Sequence, residues 1–304
     1  MYGARRICFT LVAKDMEISM KVLITGANGL LGSEAVKYFS AIHEVHALCH
    51  RLGNCQEGVS YHYLDFAEEW SISKLPERVD VILHLAQSSK FREFPDQALD
   101  VFSVNIASTA KILEYARTAG CQKFIFASSG GIYESGAALI DENSPIVPHG
   151  QLGYYLASKL SGELLVRSYA GIMDVSILRL FFMYGRAQRR SMLLPRLVDN
   201  VRAGSLIQLQ GDEGLVINPV HVSDAVSALE CIMQQPGSST FNIAGSEVVS
   251  LRQLALQISA KVGVKPVFDY VPGVHTRLVA DISALRALGW IPKVGLPDGL
   301  EELV

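Results

Sequence analysis

The chain has 304 residues, 49% of them hydrophobic and 19% charged, enough for a large α/β core with an attached lobe. A formal net charge of -3 leaves no basic footprint for nucleic acid, and no apolar run approaches the roughly 20 residues that span a bilayer. Five dispersed cysteines (Cys8, Cys49, Cys55, Cys121, Cys231) lack metal-ligand spacing, so no metal is expected, and the set reads as reduced thiols of a cytoplasmic protein.

Arg5 and Arg6 precede a short apolar stretch, Ile7 to Ala13, which Thr10 interrupts and Lys14-Asp15 closes. This is too short for a signal peptide, so residues 1–19 are expected to be an extension before a fold that starts at Met20. Lys21 to Thr25 is an apolar run ending in glycines, a buried strand. Leu31 to Ala41 has helical periodicity, Glu44 to Leu48 reads as a strand, and Val79 to Leu85 as another buried strand. Val104 to Thr118 predicts a helix, Lys123 to Ala127 a strand, Tyr155 to Ala170 a long helix and Val175 to Leu180 a further strand. Short apolar strands alternating with helices predict an α/β fold over residues 20–185, a doubly wound parallel sheet. Beyond residue 185 the segments shorten: Pro195 to Ala203, Leu206 to Leu209, His221 to Gln234, Thr240 to Ile243, Leu251 to Val262. Residues 186–304 are expected to form mainly a smaller lobe that closes over a substrate at the carboxyl ends of the strands, with some segments returning to the sheet.

Gly26, Gly29 and Gly32 lie between the first strand and the first helix. Side chains at Gly26 or Gly29 would hold the backbone away from a pyrophosphate, and Gly32 lets the helix pack on the sheet. The helix N-terminus then supplies free N–H groups to the phosphates. The second strand ends in His50-Arg51 with no carboxylate to accept a ribose 2′-hydroxyl. Those residues suit a 2′-phosphate, which favours NADP(H) over NAD(H), although Arg51 also reads as a solvated loop residue. Asp65 is placed to accept from an adenine amino group, or to form an ordinary strand-end turn.

Tyr155 and Lys159 are i and i+4 on a predicted helix and share a face. A free phenol ionises near pH 10, and a nearby ammonium brings it toward a useful range for acid/base work. The strand through Phe124 to Ala127 delivers Ser128-Ser129 at its carboxyl end, where a serine hydroxyl can donate to a reacting oxygen or simply cap the turn with Gly130-Gly131.

TGANGLLG (25–32), Leu64-Asp65, His84-Leu85-Ala86, Asn105 with Thr109, Ala127-Ser128-Ser129 before Ile132-Tyr133, Tyr155 to Lys159 with Gly162-Glu163, Leu178 to Phe181 before Tyr184-Gly185, His221 to Asp224, Phe241 to Ile243, and Leu288 to Trp290 with Gly299-Leu300 occur in this order. As a set, from Met20 to the C-terminus, they resemble an extended short-chain dehydrogenase/reductase of the nucleotide-sugar epimerase/dehydratase/reductase group, with a Rossmann-type sheet. The opening MKVLITGANGLLGSE also resembles dTDP-4-dehydrorhamnose reductases. The resemblance implies that Tyr155 is the acid/base, Lys159 binds the nicotinamide ribose and Ser129 assists the reacting oxygen. It places Asn28, Leu30, Leu31, Phe66, Leu85, Ala86, Gln87, Asn105, Phe182 and Met183 on the cofactor with the glycines. It places Ser88, Gly130, Gly131, Phe182, Arg189, Arg196 and His221 on the substrate. A homodimer through helices matching 105–118 and 155–170 is implied as well.

The chain departs from the pattern at three places. Sugar 4,6-dehydratases carry an Asp-Glu pair after the Ser/Thr, where Gly130-Gly131 stand here, which disfavours water elimination. Many relatives carry Asn at the position of Phe182, and an arginine clamping the pyrophosphate near Ile217, a duty that would fall to Arg189, Arg190 or Arg196. The reading is an NAD(P)-dependent enzyme of nucleotide-sugar chemistry, with 4-keto-sugar reductase ranked above 4-epimerase on the basic end of the second strand. A cofactor-sensing regulatory subunit without turnover is a second reading, and the presence of both Tyr155 and Lys159 counts against it.

Overall fold

A computed structural model describes residues 19–51, 53, 55–136, 139–147 and 151–304; the expected N-terminal extension lies outside the described residues except for Ser19. The first half of the chain alternates strand and helix: β1 (Lys21–Thr25), α1 (Leu30–Phe39), β2 (Glu44–Cys49), β3 (Ser60–Tyr63), β4 (Val81–His84), α2 (Ala98–Phe102), α3 (Ser108–Thr118), β5 (Lys123–Ser129), α4 (Gly153–Arg167) and β6 (Asp174–Leu180). There follow α5 (Leu193–Arg202), β7 (Leu206–Gln210), β8 (Val216–Ile217), α6 (Val222–Met233), β9 (Ser239–Ile243), β10 (Val249–Ser250), α7 (Leu251–Val262), β11 (Val267–Val271), β12 (Arg277–Leu278), α8 (Ser283–Ala287) and α9 (Leu296–Glu301).

Seven strands form one sheet in the order β3-β2-β1-β4-β5-β6-β9, and every pairing in it is parallel. Parallel strands need helical crossovers on both faces, so β1, β4 and β5 are apolar on both sides. On one face α1 buries Leu31, Ala35, Val36 and Phe39, one helical stripe, together with Val226, Leu229 and Ile232 of α6. On the other face Ile112, Leu113 and Ala116 of α3 and Val166 of α4 meet Leu23, Ile82, Phe124 and Ile177. A third core, with Leu197, Val201, Leu209, Leu254, Ile258 and Leu300, fills the smaller lobe.

The strand order reverses at β1, which pairs with β2 on one side and β4 on the other. That switch point opens a crevice beyond the carboxyl ends of the strands, where the glycine turn lies. Beyond residue 185 two segments rejoin the large sheet: β9 pairs with β6, and α6 packs beside α1. The helix expected from Val104 is interrupted, because Ser103–Ala107 form a π-helical turn between α2 and α3. No helix among the described residues is long and apolar enough to cross a membrane.

Candidate active site

The glycine turn is dictated by contact. Gly26 has φ +69°, and a Cβ there would sit 2.8 Å from the Ala86 backbone. A Cβ at Gly32 would lie 2.1 Å from the Gly26 carbonyl. Gly29 donates its N–H to that same carbonyl (2.8 Å) and hands the chain to α1. In the first turn of α1, the N–H groups of Leu30, Leu31 and Gly32 have no backbone acceptor among the described residues. The cradle therefore presents bare donors and the positive end of a helix, which fits a dinucleotide pyrophosphate. Asn28 ties this turn to the end of β2 by donating Nδ2 to the Arg51 carbonyl (2.9 Å).

The wall opposite the turn is built on Thr25, whose hydroxyl accepts from the N–H groups of Leu85 and Ala86 (3.1 Å each) and bonds His84 Nδ1 (2.8 Å). At the far side of the ring, Thr109 gives its hydroxyl hydrogen to the Asn105 carbonyl (2.8 Å), so its oxygen accepts from His84 Nε2 (2.9 Å). The set closes with a neutral His84 carrying its hydrogen on Nε2. Burial, helped by the charge of Lys159, pushes the ring's pKa down to about 3.

His50 and Arg51 are both exposed after β2. Asp65 accepts from the Ala67 N–H (2.9 Å), forming its own turn, and Phe66 is buried against Trp70, ring centroids 4.9 Å apart.

At the mouth of the sheet, α4 and the end of β5 bring the expected acid/base group together. The Tyr155 phenol donates to Gln87 Oε1 (3.1 Å). Burial pushes the phenol up to about 12, opposed by a hydrogen bond from Ser129 and the charge of Arg92. The Ser129 oxygen also accepts from the Gly131 N–H (3.1 Å), the turn cap expected of it. Lys159 is buried, donates Nζ to the Ala127 carbonyl (2.9 Å), and is lowered by desolvation to about 8 while Glu163 opposes the shift. Ser128 points elsewhere, donating to Glu163 (2.6 Å).

Several expected site residues are engaged by other groups of the protein. Asn105, in the π turn, accepts from the Ser88 N–H (2.9 Å) and donates to Ser158 (2.8 Å), which donates to the Tyr155 carbonyl (2.7 Å). The Ser88 hydroxyl bonds the Asp100 carboxylate. His221 is buried at the N-terminus of α6, with Nδ1 against Ser223 (2.8 Å) and Nε2 against Glu302 (3.1 Å). Arg190 pairs with Asp199 and Arg196 lines a groove beside Leu193, Asn200 and Asp269, whereas Arg189 reaches the Ser89 carbonyl (3.2 Å). Met183 is partly exposed, and its carbonyl accepts from Gln188 (2.7 Å). Phe182 holds φ +43°, unusual for a bulky residue, and packs against both the sheet core and the lobe core. Gly130 and Gly131 have little spare room: Cβ atoms there would lie 2.3 Å from the Phe181 ring and 3.1 Å from Leu156. Ile217 is 1% exposed within the lobe core.

Glu163, paired with Arg179 beneath the site (2.8 Å), is a supporting group that sequence reasoning quoted without a role, as are Tyr133 and Asn242, which complete the network. Phe91 and Arg92, beside Tyr155, carry no motif signal at all.

A doubly wound parallel sheet, a glycine turn at its switch point, and a Ser129–Tyr155–Lys159 group at the strand ends define a dinucleotide-dependent short-chain dehydrogenase/reductase of the extended type. The chain belongs to the NAD dependent epimerase/dehydratase family, whose model matches residues 22–244. It is 28% identical to the uncharacterized UDP-glucose epimerase YtcB of Bacillus subtilis, over 92% of this chain and 96% of that one. Among solved structures it is similar to MoeE5 in complex with UDP-glucuronic acid and NAD, with 26% identity, a TM-score of 0.80 and coverage of 93% and 97%. It is similar too to the UDP-glucose 4-epimerase of Thermus thermophilus in complex with NAD, with 25% identity, a TM-score of 0.78 and the same coverage.

These findings correct the expectation of NADP(H): both solved structures hold NAD, and the family is NAD dependent. The error lay in reading His50 and Arg51 as a 2′-phosphate clamp. Both residues are exposed in the loop after β2, and for Arg51 exposure suits the solvated-loop reading as well as it suits a clamp, so a basic strand end without a carboxylate does not by itself select the phosphorylated cofactor.

Proposed function

We propose that this chain is an NAD-dependent nucleotide-sugar 4-epimerase. The observation that carries the reading is the phenol of Tyr155 beside Ser129 at the strand ends, with glycines packed where a dehydratase needs carboxylates. The similar proteins described as UDP-glucose epimerases support it. The basic end of β2, on which a reductase ranked above an epimerase, loses its weight with the NADP(H) expectation.

When bound, NAD would supply a reversible hydride acceptor for the sugar carbon. The glycine turn and the N-terminus of α1 hold the pyrophosphate, and Lys159 serves the ribose. Tyr155 takes the C4 hydroxyl proton as the hydride leaves and gives it back in the reverse step, while Ser129 donates to the reacting oxygen. The smaller lobe covers the nucleotide. A cytoplasmic homodimer, paired through helices 105–118 and 155–170, belongs to the same proposal and is tested by light scattering.

The purified protein is expected to interconvert C4 epimers of a UDP-sugar without added nicotinamide, and to release NAD when denatured. Tyr155→Phe is expected to lower kcat by at least about a hundredfold, as for loss of a general acid/base, while retaining NAD. Consumption of one reduced nicotinamide per turnover, or full activity in the phenylalanine variant, would overturn the reading.

A further inference from the structure

The loop after β4 and the loop after β6 hold each other across the mouth of the sheet. Arg92 donates from Nη1 to the Ser191 carbonyl (3.0 Å), and Arg189 from Nη1 to the Ser89 carbonyl (3.2 Å). These reciprocal bonds join positions 99 and 100 residues apart in the chain. The Arg92 guanidinium lies over the Phe91 ring, 5.3 Å from its centroid, and that ring meets Tyr155 with centroids 4.7 Å apart. The same loop carries Gln87, which accepts from the Tyr155 phenol.

Among the described residues, the other cations near this phenol are already committed. Lys159 is turned onto the Ala127 carbonyl and lies over the Phe126 ring. Lys90, on the same loop as Arg92, pairs with Asp100 (3.1 Å), and Arg189 is bound to Ser89. From β5 the neutral Ser129 reaches the phenol. Arg92 is the cation that lowers the phenol against the upward push of burial.

We propose that Arg92 is a positioning residue for the acid/base step: its bond to Ser191 and its seat on Phe91 hold a positive charge beside Tyr155 and keep the loop closed on the phenol. Arg92 exchanges no proton itself; it stabilises the phenolate that accepts the sugar hydroxyl proton. The role rests on Tyr155 being the acid/base of the proposed epimerase.

The test compares Arg92→Gln and Arg92→Lys with the unmodified protein. Arg92 is exposed, so neither substitution opens the core. Removing a cation raises the phenol's pKa, so the limb of the kcat–pH profile that reports Tyr155 is expected to move to higher pH in Arg92→Gln. The shift is about half a unit to one unit, for a solvent-screened charge at this range, and it shrinks as salt is added. Arg92→Lys is expected to restore most of it.

A second readout needs no turnover: ultraviolet titration of the NAD-loaded protein, taken as a difference from the matching Tyr155→Phe protein, isolates this phenol. A displaced titration without epimerisation of any UDP-sugar would keep the effect of the Arg92 charge on the phenol and sink the proposed activity. Normal epimerisation with an unmoved titration and an unmoved pH limb in Arg92→Gln would sink the role and keep the activity. A fall in kcat with no movement of either would likewise reduce Arg92 to a structural tie.

Discussion

His84 is a buried base that the fold keeps from being protonated. Both ring nitrogens are occupied, Nδ1 by Thr25 and Nε2 by Thr109, and the ring stands near Lys159. An imidazolium there would break the bond with Thr25 and add a second buried cation. In the unfolded chain the same ring titrates near pH 6.5. Between about pH 6.5 and about 3 the unfolded chain binds a proton that the folded chain refuses, so stability falls as pH drops through that window. At pH 5 this amounts to about 2 kcal/mol. His84→Gln is expected to be less stable than the parent at pH 7 and to lose less on going to pH 5, measured by urea unfolding at both. An equal loss in both proteins would assign acid sensitivity to other groups. The segment His84-Leu85-Ala86 was legible as part of a family pattern, but the histidine's duty was not, because its partners lie 59 and 25 residues away.

At the scale of elements, α4 does more than present a tyrosine and a lysine. One turn beyond Lys159, Glu163 enters the sheet side of the helix and pairs through both oxygens with Arg179 of β6 (3.0 and 2.8 Å) while accepting from Ser128 of β5. Arg179 continues to Tyr133 (2.6 Å), and Tyr133 to Asn242 of β9 (2.9 Å). The helix is thereby fixed in height and rotation against three strands. Glu163→Gln leaves a buried guanidinium uncompensated and is expected to cost roughly 3–5 kcal/mol in a denaturant titration. It also removes the charge that supports protonation of Lys159. A loss below about 1 kcal/mol would show that the pair is not structural. The strands of this framework were readable because burial on both faces makes them continuous apolar runs. β3 was not: it is a half-exposed edge strand, SYHY, with no apolar run to mark it. The π turn at Ser103–Ala107 was hidden too, since five residues are too few for an apolar pattern to tell it from an α turn, and so the placing of Asn105 between Ser88 and Ser158 was invisible.

At the scale of the whole molecule, the chain passes between sheet and lobe repeatedly instead of finishing one before starting the other. β8, β10 and β12 pair within a three-stranded sheet of the lobe, and each abuts a segment of the large core: Val220 after β8, Ala244 before β10, Ala280 after β12. Asn218 is the pin at this junction. Its side chain, 3% exposed, donates to the carbonyls of Gly245 (3.1 Å) and Ala280 (2.9 Å) and accepts from the Ala280 N–H (3.0 Å). A single amide thus satisfies backbone groups on two other crossings. The amide therefore fixes the lobe sheet against the large sheet that carries Tyr155 and Ser129. Asn218→Ala would leave two carbonyls and an N–H buried without partners, at roughly 1–3 kcal/mol for each group left unpaired. The loss should not be uniform. Hydrogen exchange is expected to quicken first in β8, β10 and α7, with the amides of β1, β4 and β5 still protected, because those strands keep both of their cores. KM for a nucleotide sugar is expected to rise more than kcat falls, since Tyr155 and Ser129 stand on the sheet and keep their places. If exchange instead quickens equally in sheet and lobe, the two form one cooperative unit, and Asn218 stabilises the whole without acting as a joint.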